Sequence, residues 1–218
     1  MLDGDGRNFD EIAPSGREVT AAEPPRQKRG ECTAADGCLE TSVPRKRAIA
    51  HADPASEWCL LAATLDAELL IVSRRGQRKV RAREYFVGAL TTTLKPDELL
   101  TEIRIPMLDE GWQTGFVEFS RQAGDFALAM CAAFLQFKDG RIAKARLGIG
   151  GATDRPSRIA TAEAVLTGTD GGPEIRREAG DIAAAAIDPL EDIHASAAFR
   201  RDLVRAMVRR ALDQALTR

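Results

Sequence analysis

The chain has 218 residues, 44% of them hydrophobic and 29% charged, with a net charge of −2. That is the balance of an ordinary globular protein, long enough to bury a sizeable core. It excludes a globally basic nucleic-acid binder, and no run approaches the ~18 apolar residues of a membrane-spanning helix. The opening MLDGDGRNFDEIAP has no basic stretch followed by an apolar one, so it does not read as a secretory signal. Cys32, Cys38, Cys59 and Cys131 form no CxxC, and His51 and His194 lie far from the Cys32/Cys38 pair in sequence. No metal site is expected, and reduced thiols in a cytoplasmic protein are the default reading.

Residues 1–47 differ from the rest. Leu, Ile, Val and Phe fill only six of these 47 positions. That density is too low for a packed core, so this stretch is expected to be largely disordered or loosely attached. From Ile49 onward the pattern is regular. Asp53-Pro54 reads as an N-cap with proline at the first helical position, opening a helix to about Leu65 with Trp58, Leu61, Ala62 and Leu65 on one face. Glu68 to Ser73 reads as a strand, Arg74 to Gln77 as a turn, and Lys79 to Arg83 as the returning strand. Leu99 to Pro106 alternates and ends at proline, as a strand can. Trp112 opens a second unit. Phe116 to Ser120 is a strand, Ala127 to Phe137 a longer apolar one, and Asp139-Gly140 a hairpin turn into Ile142 to Ile149. Helices follow over 158–166, 173–187 and 196–216. The last carries an apolar stripe of Phe199, Leu203, Val204, Met207, Val208, Ala211, Leu212 and Ala215, with Arg201, Arg205 and Arg209 on the other face. The fold class is α+β, with a small antiparallel sheet packed with helices in the second half.

Few segments carry chemistry by themselves. Neither histidine sits in a nucleophile motif. Gly148-Ile149-Gly150-Gly151 lacks the full GxGxxG, because residue 153 is Thr, and reads as a plain turn after a strand. The basic run Arg74, Arg75, Arg78, Lys79, Arg81, Arg83 flanks a turn without interleaved aromatics, which fits a solvated hairpin better than a nucleic-acid surface. Asp53 and Glu57 sit at a helix N-terminus, where they either cap the helix or present acceptors to a ligand's hydroxyls.

Four blocks, AHADPASEW, KPDELLTEIRIP, FVEFSRQAGDFALA and DIHASAAFRRDLVRAMVRRAL, together resemble the FAD-binding medium subunit of molybdenum hydroxylases, in its carbon monoxide dehydrogenase form. The resemblance covers about residues 48–217. It implies the later part of an FAD-binding domain over 48–108 and the family's C-terminal flavoprotein domain over 112–217. It also implies FAD as cofactor, with a molybdenum-cofactor large subunit and an iron–sulfur small subunit as partners. The implied role is electron transfer: iron–sulfur clusters feed FAD, which passes electrons to an external acceptor. No catalytic acid or base is then required of this chain. By the same resemblance Asp53, Pro54, Ser56 and Glu57 match the segment after the family's second glycine loop, where a carboxylate bonds FAD. Leu100 matches a leucine that lies against the flavin. Arg121, Gly124 and Asp125 match an Arg-x-x-Gly-Asp loop near the isoalloxazine ring.

The sequence also departs from that pattern. The family's Gly-Gly loop before Ala-His-Ala-Asp-Pro is replaced by Pro44-Arg45-Lys46-Arg47-Ala48, and the earlier Ala-Gly-Gly loop has no counterpart. Glycine lets backbone N–H groups approach phosphates closely, and arginine does not. Weak FAD binding by the chain alone is therefore expected, with a docking module that no longer binds FAD as the alternative. A lysine that some relatives hold near the flavin is replaced by Val117 or Glu118. Residues 1–47 are read as non-family sequence, as a frameshift or misplaced start codon would produce.

Overall fold

The computed structural model describes the backbone of Cys38–Leu39 and residues 48–122 and 125–217, all within one compact unit. The expectation for residues 1–47 lies outside the described residues, apart from strand β1 (Cys38–Leu39), which pairs antiparallel with Ile105 and Pro106.

Residues 48–50 are helical and lead through a turn to α1 (Glu57–Thr64). The helix starts three residues later than the sequence reading. Asp53 does bond locally, but its Oδ1 accepts from Ala55 N at 2.9 Å, closing a turn ahead of the helix. Ser56 is the true N-cap. The buried face also differs, consisting of Cys59, Leu60, Ala62, Ala63 and Thr64, while Trp58 and Leu61 are only half-buried. Thr64 is tolerated in the core because its hydroxyl donates to Leu60 O at 2.7 Å.

A first antiparallel sheet follows, in order β1-β6-β2-β3. Its strands are β2 (Glu68–Ser73), β3 (Gly76–Arg81) and β6 (Glu98–Pro106). Between β3 and β6 the chain forms a short helix α2 (Ala82–Tyr85) and a two-stranded ribbon of β4 (Phe86–Gly88) and β5 (Thr91–Thr92). None of these three was legible as a periodic segment. Three members of the basic run are paired locally: Arg75, in the turn before β3, with Asp97, and Arg78 and Lys79, on β3, with Glu98 and Glu68.

The second sheet runs β10-β9-β8-β7. It comprises β7 (Trp112–Phe119), β8 (Ala129–Lys138), β9 (Arg141–Gly150) and β10 (Ser157–Arg158). Asp139 (φ 53°) and Gly140 (φ 73°) both take the left-handed conformation that a two-residue hairpin turn requires. Strand β8 is apolar over most of its length because both faces are covered. Cys131, Ala133 and Leu135 face one cluster with the helices. Met130, Ala132 and Phe134 face the other, with α1 and the first sheet.

Helices α3 (Ala160–Leu166), α4 (Pro173–Ala186) and α5 (Ala197–Leu216) cover the outer face. The stripe on α5 is buried as read, except that Phe199 stays exposed and Arg200 is buried in its place. Two glycines set the spacing of these layers. A Cβ on Gly115 would stand 1.9 Å from the Ala211 carbonyl oxygen, so only glycine lets α5 cross β7 there. A Cβ on Gly148 would stand 1.8 Å from Thr64 Oγ1, so glycine also admits α1 against β9.

Candidate functional site

Two neighbouring cavities share the walls Ala55, Asp125, Phe126 and Ala127. One, of about 330 Å³, adds Pro54, Arg121, Gly151, Asp192, His194 and Arg200. The other, of about 300 Å³, adds Asp53, Ser56, Glu57 and Glu118. The structure thus brings the Asp53–Glu57 segment against the loop that carries Arg121 and Asp125, from positions more than sixty residues apart in the chain. Gly124 lies outside the described residues. Leu100 is half-buried on β6 against the core shared by α1 and the first sheet, outside both cavities.

The walls are held by main-chain bonds. Pro54 O accepts from Gly151 N at 2.8 Å, and Phe119 O accepts from Leu128 N at 2.8 Å, closing the base of the 120–127 loop. Asp125 N donates to Gln122 O at 3.1 Å inside that loop. Arg121 Nη1 stands 3.4 Å from His194 Nδ1. Phe126 is 76% exposed, a large apolar ring standing at the boundary of both cavities.

Electrostatically the two cavities differ. The smaller is lined by Asp53, Glu57, Glu118 and Asp125, and no cation among the described residues lines it. The larger carries Arg121, His194 and Arg200 beside Asp125 and Asp192. Asp192 is partly desolvated, which raises its carboxyl. N–H groups of His194 and Ala195 and the Arg200 guanidinium outweigh that and hold it below the ordinary range. Of Val117 and Glu118, adjacent on β7, only Glu118 reaches a cavity, because Val117 packs against the helices. Burial pushes the Cys59 thiol up to about 12 and raises Cys131 further, so neither is a nucleophile. Among the described residues no cluster of three potential metal-ligating side chains forms, and no helix is long and apolar enough to cross a membrane.

The glycine run is accounted for without phosphate. Gly148 and Gly150 end β9, with Leu60 of α1 close to both, and Gly151 lines the larger cavity. Sequence reasoning missed Phe126, Asp192, His194 and Arg200 as site residues. Arg200 left one signal, a charge on the apolar stripe of α5, in helical register with Leu203, Val204 and Met207.

The acceptor-rich lining suits the hydroxyl-bearing part of a dinucleotide. Carboxylates accept from sugar or polyol hydroxyls, and the Phe126 ring offers an apolar wall to a flat heterocycle. Comparison with known proteins gives the class first. Residues 48–108 match the FAD binding domain in molybdopterin dehydrogenase, and residues 115–215 match the CO dehydrogenase flavoprotein C-terminal domain. The nicotine 6-hydroxylase medium subunit of Paenarthrobacter nicotinovorans is 38% identical over 167 residues, covering 77% of this chain and 58% of that protein. The carbon monoxide dehydrogenase medium chain of Afipia carboxidovorans is 32% identical over 169 residues, covering 78% and 59%. A solved structure of reconstituted CO dehydrogenase from Oligotropha carboxidovorans superposes with a TM-score of 0.75 at 32% identity, over 78% of this chain and 59% of that one. Quinoline 2-oxidoreductase from Pseudomonas putida 86 gives 0.74 at 32% identity, over 79% and 60%. The chain belongs, over these residues, to the FAD-binding medium-subunit family of the molybdenum hydroxylases. It spans a little under two thirds of the length of these relatives.

Proposed function

We propose that this chain is the flavoprotein subunit of a molybdenum hydroxylase-type oxidoreductase, holding FAD between its 48–108 and 112–217 domains. In this reading it works in the cytoplasm beside a molybdenum-cofactor large subunit and an iron–sulfur small subunit. It passes electrons from the clusters to an external acceptor. The observation that carries the reading is the convergence of Asp53, Ser56 and Glu57 with Asp125 and Phe126 on one cavity. These are separate sequence blocks of the family, and the fold brings them to one cavity of a size that can take part of a ligand.

FAD, when bound, supplies the ability to take up and release electrons singly or in pairs. The chain's residues bind and shield. Asp53 and Glu57 accept hydrogen bonds from hydroxyls. Arg121 places a positive charge beside the larger cavity, where it favours electron density on a nearby ring. Phe126 keeps water from one face. Leu100, on β6 outside both cavities, and Gly124 belong to this reading only through the resemblance of their sequence blocks. A second reading, a docking module without FAD, draws support from the smaller cavity, whose four carboxylates repel a pyrophosphate.

The test is an absorbance spectrum of the purified chain after incubation with FAD and desalting. A visible flavin band that survives desalting and is lost in the Asp53→Ala/Glu57→Ala variant upholds the electron-transfer reading. A wild-type chain that retains no flavin sinks the electron-transfer reading and leaves the docking module.

A further inference from the structure

We propose that Arg200 is the positioning residue of this site, a single guanidinium that fixes the separation of the two cavity walls. This inference rests on the flavoprotein reading above. Arg200 is only 3% exposed, on the first turns of α5. Its Nη1 donates to Leu128 O at 2.8 Å and to Gly151 O at 2.9 Å. Its Nη2 donates to Asp192 Oδ2 at 2.7 Å.

These acceptors belong to both walls. Leu128 ends the loop that carries Arg121, Asp125 and Phe126, and its N–H already closes that loop on Phe119. Gly151 is bonded through its own N–H to Pro54 O on the opposite wall. The series Pro54, Gly151, Arg200, Leu128 therefore spans the cleft through hydrogen bonds, with the guanidinium as its rigid centre. The third arm sets the rim. Asp192 Oδ1 accepts from the N–H groups of His194 and Ala195 at 2.8 and 3.0 Å, which orients His194 toward Arg121.

Two features mark this as positioning rather than plain core packing. The Nε of Arg200 is buried without a hydrogen-bond partner, a cost that an apolar side chain of similar volume would not incur. The bridged groups are also separated by 72 and 49 residues from Arg200, so the contact ties remote segments rather than stabilising the helix. Lysine keeps the charge but replaces the bridge only in part, because one ammonium cannot span two carbonyls and a carboxylate in a fixed plane.

The test uses the full chain with FAD as the probe, followed by flavin fluorescence, with thermal unfolding of the apo chain in parallel. Arg200→Met is expected to weaken FAD binding about ten- to a hundredfold, with Arg200→Lys intermediate. Asp192→Asn, which leaves both Nη1 bonds in place, is expected to lose less than Arg200→Met. All three substitutions are expected to lower the apo midpoint as well, so the affinities are compared at a temperature where every variant is fully folded. Wild-type affinity in Arg200→Met overturns the proposal, as does a loss that only tracks the unfolding midpoint. If the wild-type chain binds no FAD, the flavoprotein reading fails and hydrogen exchange decides the clamp. Loss of protection at Leu128 and Gly151 in Arg200→Met, with the β7–β8 amides unchanged, supports it. Unchanged protection at those two amides overturns it.

Discussion

Replacing Gly148 by alanine tests how α1 is seated. The new Cβ would lie 1.8 Å from Thr64 Oγ1 and 2.9 Å from Leu60 Cδ1. The leucine tip can rotate away, but Thr64 sits in the core with its hydroxyl bonded to Leu60 O, so the helix itself must move. Overpacking of this kind costs about 1–3 kcal/mol, and so short a contact belongs at the upper end. For a domain of this size each kcal/mol lowers the midpoint by about 2–4 °C, so a fall of about 6–12 °C is expected. Thr64→Ala alone should cost about 1–2 kcal/mol by losing a methyl and a hydrogen bond. It also removes the hydroxyl that the added methyl at position 148 would strike. The double variant should therefore be more stable than the sum of the singles, with a coupling of about 1–2 kcal/mol. Thermal unfolding of the four proteins gives the cycle directly. Simple additivity would refute the assignment of Gly148 to this contact. Because α1 begins at the candidate site, FAD retention should fall in Gly148→Ala and recover in the double variant.

Gly115→Ala should destabilise more than Gly148→Ala, since its Cβ meets the backbone of Ala211 at 1.9 Å. Truncating a neighbouring side chain should give no relief in the same thermal assay. Arg78, bonded to both oxygens of Glu98, and the Lys95 amide hold the Glu98 carboxyl at about 2, below its ordinary 4.5. Its stabilisation is thus complete above the unfolded value and is lost as pH falls toward 2. Acid unfolding curves of wild type and Glu98→Gln should converge over that window, and parallel curves would count against the pairing. Glu163 accepts from Leu147 N at 2.8 Å and from Arg158 Nε at 2.6 Å. Glu163→Ala should cost about 2–4 kcal/mol in denaturant unfolding, less than a fully buried pair because Arg158 keeps solvent contact. Cys59 and Cys131 should resist alkylation at mild alkaline pH until the chain unfolds, and mass mapping of labelled peptides would expose any error in their burial.

What the sequence made legible was whatever its local chemistry determines. The β8–β9 hairpin could be read because Asp139-Gly140 fixes the turn and the flanking strands have to pair across it. Helix α5 could be read because seven of its eight apolar stripe positions are buried at helical spacing, with Phe199 alone left exposed. Helix α1 was misjudged on both counts. Asp53-Pro54 offers the same local bond that a cap would, but that bond closes a turn ahead of the helix and Ser56 takes the N-cap position. Its stripe was misassigned because its closest approach to β9 is met by Gly148, so burial there follows the gap in the sheet rather than the hydrophobicity of the helix.

The candidate site shows the same division more sharply. Asp53, Glu57, Arg121 and Asp125 entered through resemblance, since nothing in their spacing brings them together. Arg200 announced itself only as a charge out of place on an apolar stripe, and the sequence did not name its partners. Two of the three are main-chain carbonyls, which any residue at 128 and 151 would present. Such a bridge leaves no side-chain signature at its far ends. A buried arginine whose acceptors are backbone atoms can be noticed in a sequence as an anomaly, but its purpose becomes readable only where the segments it joins are seen to be the two sides of one cleft.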